Sequence, residues 1–297
     1  MQARKQGNAQ GIDVSHWQGD IKWQQVKADG RAFAFIKASQ GTKRVDPKFV
    51  TNAKAARAAG VLIGAYHFVD ATTMEAARVE ARHFHATMQT AGVAFDLPPV
   101  MDYENNPGNI SRSAINDVAE AFLQEIERLT GRQPLIYTGN SFAHNFGKEL
   151  SKYPIWIARY NTKPPTDVPA WSKWDIWQYS DAGKVPGIAG NVDLNEFNGT
   201  LDELRAWASG SGTKEEPKVE QRDVSKVSAW AEKDWAEAVA NGYFDGNNPG
   251  AEMTREQTAI VINRLRRNFL KLIAGNTARI EEIERQLVNI EHGEDLQ

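Results

Sequence analysis

The chain has 297 residues, 41% of them hydrophobic and 25% charged, with a formal net charge of −3. That length accommodates one large barrel or two ordinary domains, and the near-neutral charge argues against nucleic acid or another polyanion as the main partner. Cysteine is absent, which excludes disulfides, thiolate nucleophiles and cysteine metal sites. No apolar run is long enough to span a membrane, and residues 1–10 lack the apolar core of a secretory signal. No cofactor or metal is expected.

From residue 11 to about 208 strand-like and helix-like segments alternate. The predicted strands are Gly11–Trp17, Phe33–Ala38, Leu62–Phe68, Pro99–Glu104, Pro134–Thr138, Pro154–Tyr160, Asp175–Tyr179 and Val192–Phe197. Helical patterns cover Pro47–Ala59, Thr73–Thr90 and Ser111–Thr130. In the last, Ala114, Val118, Ala121, Phe122, Ile126 and Leu129 have one-sided helical spacing. Gly60, Gly92 and Gly131 each follow a helix, as C′ glycines do. This is the grammar of parallel βα units, and eight strands make a closed barrel plausible. The later crossovers are too short for full helices, so the barrel should be irregular. Thr200 and Glu203 stand in capping-box spacing at the start of a helix running to Trp207.

Ser209-Gly-Ser-Gly-Thr-Lys-Glu-Glu-Pro-Lys has the composition of a flexible linker. The predicted layout is a barrel over residues 1–208, a linker over 209–221 and a small all-α domain over 222–297. Within the last, Val227–Asn241 is a helix ending at Gly242, a second helix starts at Thr254, and a terminal helix carries Ile273, Ile280, Ile283, Leu287 and Ile290. Their spacing from Ile280 onward is that of a short coiled-coil seam, so a homo-oligomer through this helix is an expectation.

The chemistry concentrates in Pro98-Pro-Val-Met-Asp-Tyr-Glu-Asn. Residues two apart on a strand share a side, so Asp102 and Glu104 project together from a strand's C-terminal end, where barrel enzymes keep their active sites. Paired, desolvated carboxylates disfavour double ionisation, leaving one protonated near neutral pH. That is the equipment of glycoside cleavage. Asp13 on the first strand and Asp193 on the last become neighbours when a barrel closes. Tyr66 and His67 end the third strand, and Trp177 and Gln178 lie in the seventh. Singly, each has a plainer reading: Asp13 as a turn cap, His67 as a satisfied core histidine, the tryptophans as packing. Four acids converging on one barrel mouth are harder to explain as packing.

The segment from about Gly11 to Trp207 resembles glycoside hydrolase family 25, the Chalaropsis-type lysozymes common among phage endolysins. The pieces GIDVSHWQG, FAFIKASQG, GAYHF, PPVMDYE, PLIYTG, IWIARY, DIWQYS and VDLNEF carry the resemblance. It implies an irregular (β/α) barrel and a muramidase cutting between N-acetylmuramic acid and N-acetylglucosamine of peptidoglycan. Glu104 then corresponds to the general acid, Asp102 to its electrostatic partner, and Asp13 and Asp193 to the remaining carboxylates. Tyr66, His67, Tyr137, Trp156, Tyr160, Trp177 and Gln178 are the expected substrate-binding residues. A phage-encoded enzyme of this kind would be made in the host cytoplasm and act on the wall. The stretch from Asp223 to Phe269 resembles a single S-layer homology repeat, which implies binding of a secondary cell-wall polymer with Arg255 as the contact.

Three rival readings compete. Asp13, His16, His67 and Asp70 could hold a metal as in deacetylases or amidases, but no His-x-x-x-His pair supports it. Chitinase-like chemistry uses a longer acid run, and Leu97 to Val100 supply no acid. A wall-binding protein with a dead barrel would more readily have lost one of its acids.

Overall fold

In a computed structural model of the protein, the residues described are 1–209, 226–227, 232–247, 249 and 255–293. The chain divides into two units, Met1–Thr213 and Lys214–Gln297.

The first unit is a closed barrel. Its strands are β1 (Gln10–Val14), β2 (Phe33–Gln40), β3 (Arg44–Val45), β4 (Leu62–Phe68), β5 (Val100–Asp102), β6 (Leu135–Gly139), β7 (Ile155–Ala158), β8 (Ile176–Gly183) and β9 (Val192–Phe197). Their order is β1-β9-β8-β7-β6-β5-β4-β2-β3, and a β1–β2 pairing closes the ring with β3 as a short appendage on β2. The run from β1 through β2, β4, β5, β6 and β7 to β8 is parallel, whereas β9 is antiparallel to both β8 and β1. The irregularity has a covalent cause: residues 184–191 are too few for the crossover helix that a parallel pair requires. Strand β3 was not anticipated from the sequence; two exposed residues carry no periodicity.

Five α-helices belong to this unit among the described residues: α1 (Trp23–Ala28), α2 (Phe49–Ala58), α3 (Met74–Thr90), α4 (Arg112–Thr130) and α5 (Leu201–Ala208). Thr73 and Ser111 cap α3 and α4 by accepting from the Ala76 and Ala114 amides, and Thr200 with Glu203 completes a capping box on α5. Such caps satisfy N–H groups that the first helical turn leaves unpaired. Gly131 ends α4 in the left-handed region at φ 66°.

Strand alternation divides the apolar residues into two layers. Ile12, Val14, Ala34, Ile36, Ile63 and Ala65 face outward against the helices. Phe33, Phe35, Val100, Leu135, Trp156 and Ile176 fill the barrel interior. Two glycines make room for that filling. A Cβ on Gly11 would stand 2.4 Å from the Phe33 ring, and one on Gly64 equally close to Phe35. Above this plug the inward positions turn polar, and there the chemistry sits.

The second unit contains α6 (Glu232–Ala240) and α7 (Arg255–Gly293). The sequence suggested two helices after Thr254; the structure has one helix of 39 residues. Gly275 and Asn276 are weak helix formers, yet the backbone passes through them unbroken. Parts of the wall-polymer repeat, and the side chains of Arg255, Leu287 and Ile290, lie outside the described residues. Among the described residues no helix is long and apolar enough to cross a membrane.

Candidate active site

Asp13, Asp102, Glu104 and Asp193 line one cavity of about 250 Å³ at the C-terminal mouth of the parallel strands. Asp102 is the last residue of β5 and Glu104 lies just beyond it. Between them Tyr103 points the other way, packed on Phe142 and Phe146, as alternation requires. Glu104 also lines an adjoining hollow of about 600 Å³ with Asn140, Ser141, His144, Arg159 and Thr166. Tyr160 borders both spaces. The acid thus stands where two parts of a groove meet, as an extended polymer substrate requires.

Asp102 is almost fully buried, and its Oδ1 has no hydrogen-bond partner. Burial and then the Glu104 charge push its carboxyl well above the ordinary Asp range, while Lys37 pulls it back. Glu104 is also raised, by desolvation opposed by Lys37. Asp193 is pushed up to about 6, first by desolvation and then by Asp181. Asp13 is raised well above its usual range, mainly by burial and by Asp193 facing it. Four crowded acids thus hold protons at a pH where isolated carboxyls would not.

Asp13 is fixed by amides. Its Oδ2 accepts from Gln178 Nε2 at 2.9 Å and from Asn195 Nδ2 at 2.7 Å. Each amide is itself oriented. The Tyr137 and Tyr160 hydroxyls donate to Gln178 Oε1 at 2.8 and 3.1 Å, and Trp156 Nε1 donates to Asn195 Oδ1 at 2.8 Å. Because the amide oxygens are occupied by donors, their NH₂ groups are directed at Asp13.

The cavity therefore gathers Tyr66, Tyr137, Trp156, Tyr160 and Gln178. Two expected binding residues are corrected. His67 is fully buried on the outward face of β4, between Ser39 Oγ at 2.8 Å and Glu80 Oε2 at 3.2 Å. Trp177 is fully buried on the outward face of β8, its Nε1 donating to the Arg159 carbonyl. In both cases the neighbours one residue away, Tyr66 and Gln178, take the inward position. The residues weighed for a metal also have separate partners: His16 bonds Asp46, and Asp70 receives Gln40 and Arg44.

Several residues of the site were not singled out from the sequence. Lys37 lines the cavity and interrupts the apolar strand β2 from an inward position, Asn195 is buried and repeats the parity of Asp193, and Trp17 lines the cavity and is 80% exposed. The first two were detectable as a charge in an apolar strand and as a polar residue two along from a candidate acid.

The family model described as "Glycosyl hydrolases family 25" matches residues 12–188. The chain is 41% identical over 207 residues to the uncharacterized protein YegX of Escherichia coli K12, spanning 67% of this chain and 73% of that protein. Lysozyme M1 of Streptomyces globisporus is 36% identical over 214 residues, with 68% and 72% coverage. The crystal structure of a bacterial lysozyme from Streptomyces coelicolor matches with a TM-score of 0.63 at 34% identity, over 70% of this chain and 100% of that one. With the family match spanning most of a barrel whose mouth holds the paired carboxylates, the chain belongs to glycosyl hydrolases family 25 and is a glycoside hydrolase of the lysozyme kind, cleaving peptidoglycan.

Proposed function

We propose that the enzyme is an N-acetylmuramidase that cuts the β-1,4 bond between N-acetylmuramic acid and N-acetylglucosamine, with Glu104 as general acid and Asp102 as the group that orients the substrate acetamide. The observation that carries this reading is the buried, unpartnered Oδ1 of Asp102 in the same cavity as Glu104. A buried carboxylate oxygen without a donor is costly, and the N–H of a 2-acetamido sugar would satisfy it.

The proton accounting follows. Burial raises both carboxyls, so the Asp102–Glu104 pair shares one proton near neutral pH. An N–H arriving at Oδ1 stabilises the ionised form, and the proton is then held by Glu104. Glu104 gives it to the leaving oxygen while the acetamide oxygen attacks C1. A water then adds at C1 as the bond from C1 to the acetamide oxygen breaks, restoring the acetamide, and the water gives its proton to Glu104, with net retention. Asp13 and Asp193 line the pocket floor and wall; Asp13, clamped by its two amides, is set to hydrogen-bond the sugar or the attacking water.

The Glu104→Gln substitution tests the acid. It keeps the shape but removes the proton, so turnover on walls should fall by at least about 100-fold. Near wild-type clearing by a correctly folded variant would refute the assignment. Mass spectrometry of the released fragments should find reducing N-acetylmuramic acid ends; reducing N-acetylglucosamine ends would identify a different bond.

A hydrolase followed by a linker and a helical unit resembling a wall-binding repeat suits an endolysin, and host lysis is the biological role proposed. Expression in a susceptible host should cause lysis only when the membrane is also permeabilised. Persistence of intact cells under both conditions would oppose that role.

A further inference from the structure

Helix α7 carries an apolar face that nothing among the described residues covers. Ile262, Phe269, Ile273, Ile280 and Ile283 are 45 to 62% exposed. They fall at a and d positions of a heptad, with Arg266 at the a position between Ile262 and Phe269 and Asn276 at the d position between Ile273 and Ile280. The helix is about 58 Å long at 1.5 Å per residue. Contiguous exposed apolar surface on that scale marks an interaction site.

Helix α6 and its following turn do not occupy the seam. They meet α7 through Arg264, whose guanidinium donates to the Gly242 and Tyr243 carbonyls, and through Asn268, which donates to the Asn241 carbonyl. Arg264 and Asn268 lie on a different side of the helix from Ile262 and Phe269, as their spacing dictates. The seam also runs beyond this contact to Ile283. Gly275 and Asn276, in mid-helix, make the segment weak on intrinsic propensity alone.

We infer that the occupant of this seam is α7 of further copies of the same chain, joined in a parallel, in-register coiled coil. The flanking positions choose the orientation. In a parallel coil each g residue meets the e residue five along on its neighbour. Here that offset joins Leu265 to Leu270, Leu272 to Thr277, and Arg279 to Glu284, so each pair is apolar, neutral or oppositely charged. An antiparallel coil centred on Asn276 would instead set Arg279 against Leu272 and Glu284 against Leu270. Neither Arg279 nor Glu284 is held in an ion pair among the described residues. Isoleucine at both seam positions, as at Ile280 and Ile283, favours more than two strands, and the polar Arg266 and Asn276 within the seam restrict its register. The consequence is multivalency: several hydrolase units and several wall-facing repeats on one stem, so that weak contacts add by effective concentration.

The full chain tests this. Light scattering at tens of micromolar should give a mass of three chains or more, and Ile280→Asp with Ile283→Asp should reduce it to one. Both seam residues belong to the second unit and the acids to the first, so the monomeric variant should retain activity on soluble glycan fragments, which separates loss of assembly from loss of folding. Charge reversal reads the orientation: Arg279→Glu alone should weaken assembly, and adding Glu284→Arg should restore it. Because the chain has no cysteine, Ile262→Cys provides a direct register probe, since two such residues meet only in a parallel coil. Mild oxidation should link chains through it. A monomeric wild type, or an oligomer untouched by the paired aspartates, would overturn the inference. An oligomer that neither cross-links at position 262 nor responds to the charge exchange would overturn the parallel register.

Discussion

Asp13 and Asp193 are direct cross-strand partners in the antiparallel β1–β9 pair. Only because β9 runs against its neighbours does the barrel's final closure place these two carboxyls side by side. Asp193 raises the cost of ionising Asp13, and the amides of Gln178 and Asn195 return part of it.

The burial of Asp193 beside Asp181 has a measurable effect on stability. Asp193 is raised from the ordinary 3.8 to about 6 in the folded chain. Between those values the folded state binds a proton that the unfolded state has lost, so stability falls as pH rises through this window. Asp193→Asn should therefore be stabilising at pH above about 6, with the gain shrinking as pH falls toward the unfolded value. Thermal unfolding of both proteins across that range measures it; a constant difference in Tm would contradict the raised carboxyl.

Lys37 is a cation among these acids, with its ammonium over the Phe68 ring and bonded to Gln40. It lowers the carboxyl pKa of both Asp102 and Glu104. Lys37→Met removes that pull, so Glu104 should keep its proton to higher pH. The alkaline limb of the kcat/KM profile should move upward, while an unchanged limb would show that Lys37 does not set the acid's pKa.

His67 should behave as a core residue. His67→Leu leaves buried Ser39 without its partner and takes one of two from Glu80, whose Oε2 keeps the Asp70 amide, at a cost of about 1–3 kcal/mol. Urea unfolding should register this loss, whereas turnover per folded molecule on glycan fragments should stay close to wild type. A large fall in turnover with stability intact would return His67 to the substrate site.

A chain ending at Ser209 retains the helices and strands of the barrel unit. It should cut soluble fragments at the full rate but lose efficiency on whole walls, because tethering raises local substrate concentration. Residues 218–297 alone should sediment with Gram-positive walls without cutting them. Equal wall clearance by the full and shortened chains would remove the wall-binding role from the second unit.

Much of the barrel is legible because its signals are local. Alternation of apolar residues marks β2 and β4, Thr73 and Ser111 mark helix starts, and Gly131 marks an end. The Asp102–Glu104 pair is legible for the same reason, since two residues on one strand share a face whatever the rest of the chain does. Alternation also separated Tyr66 from His67 and Gln178 from Trp177, so the two misplaced binding residues followed from naming neighbours that a strand must send to opposite sides.

Other relationships depend on distance through space. Asp13 and Asp193 lie 180 residues apart, and only ring closure with an antiparallel last strand makes them partners. The clamp on Asp13 joins β1, β6, β7, β8 and β9 through Gln178, Asn195, Tyr137 and Trp156. No spacing encodes such a clamp, because each hydrogen bond depends on strand register and on which interior side chains fill the layer beneath. The sequence by itself determined the elements, their inward faces and the acid pair, all properties of short segments. Tertiary structure alone decided which distant side chains hold that pair's neighbours in place, because those contacts exist only once the sheet has closed on itself.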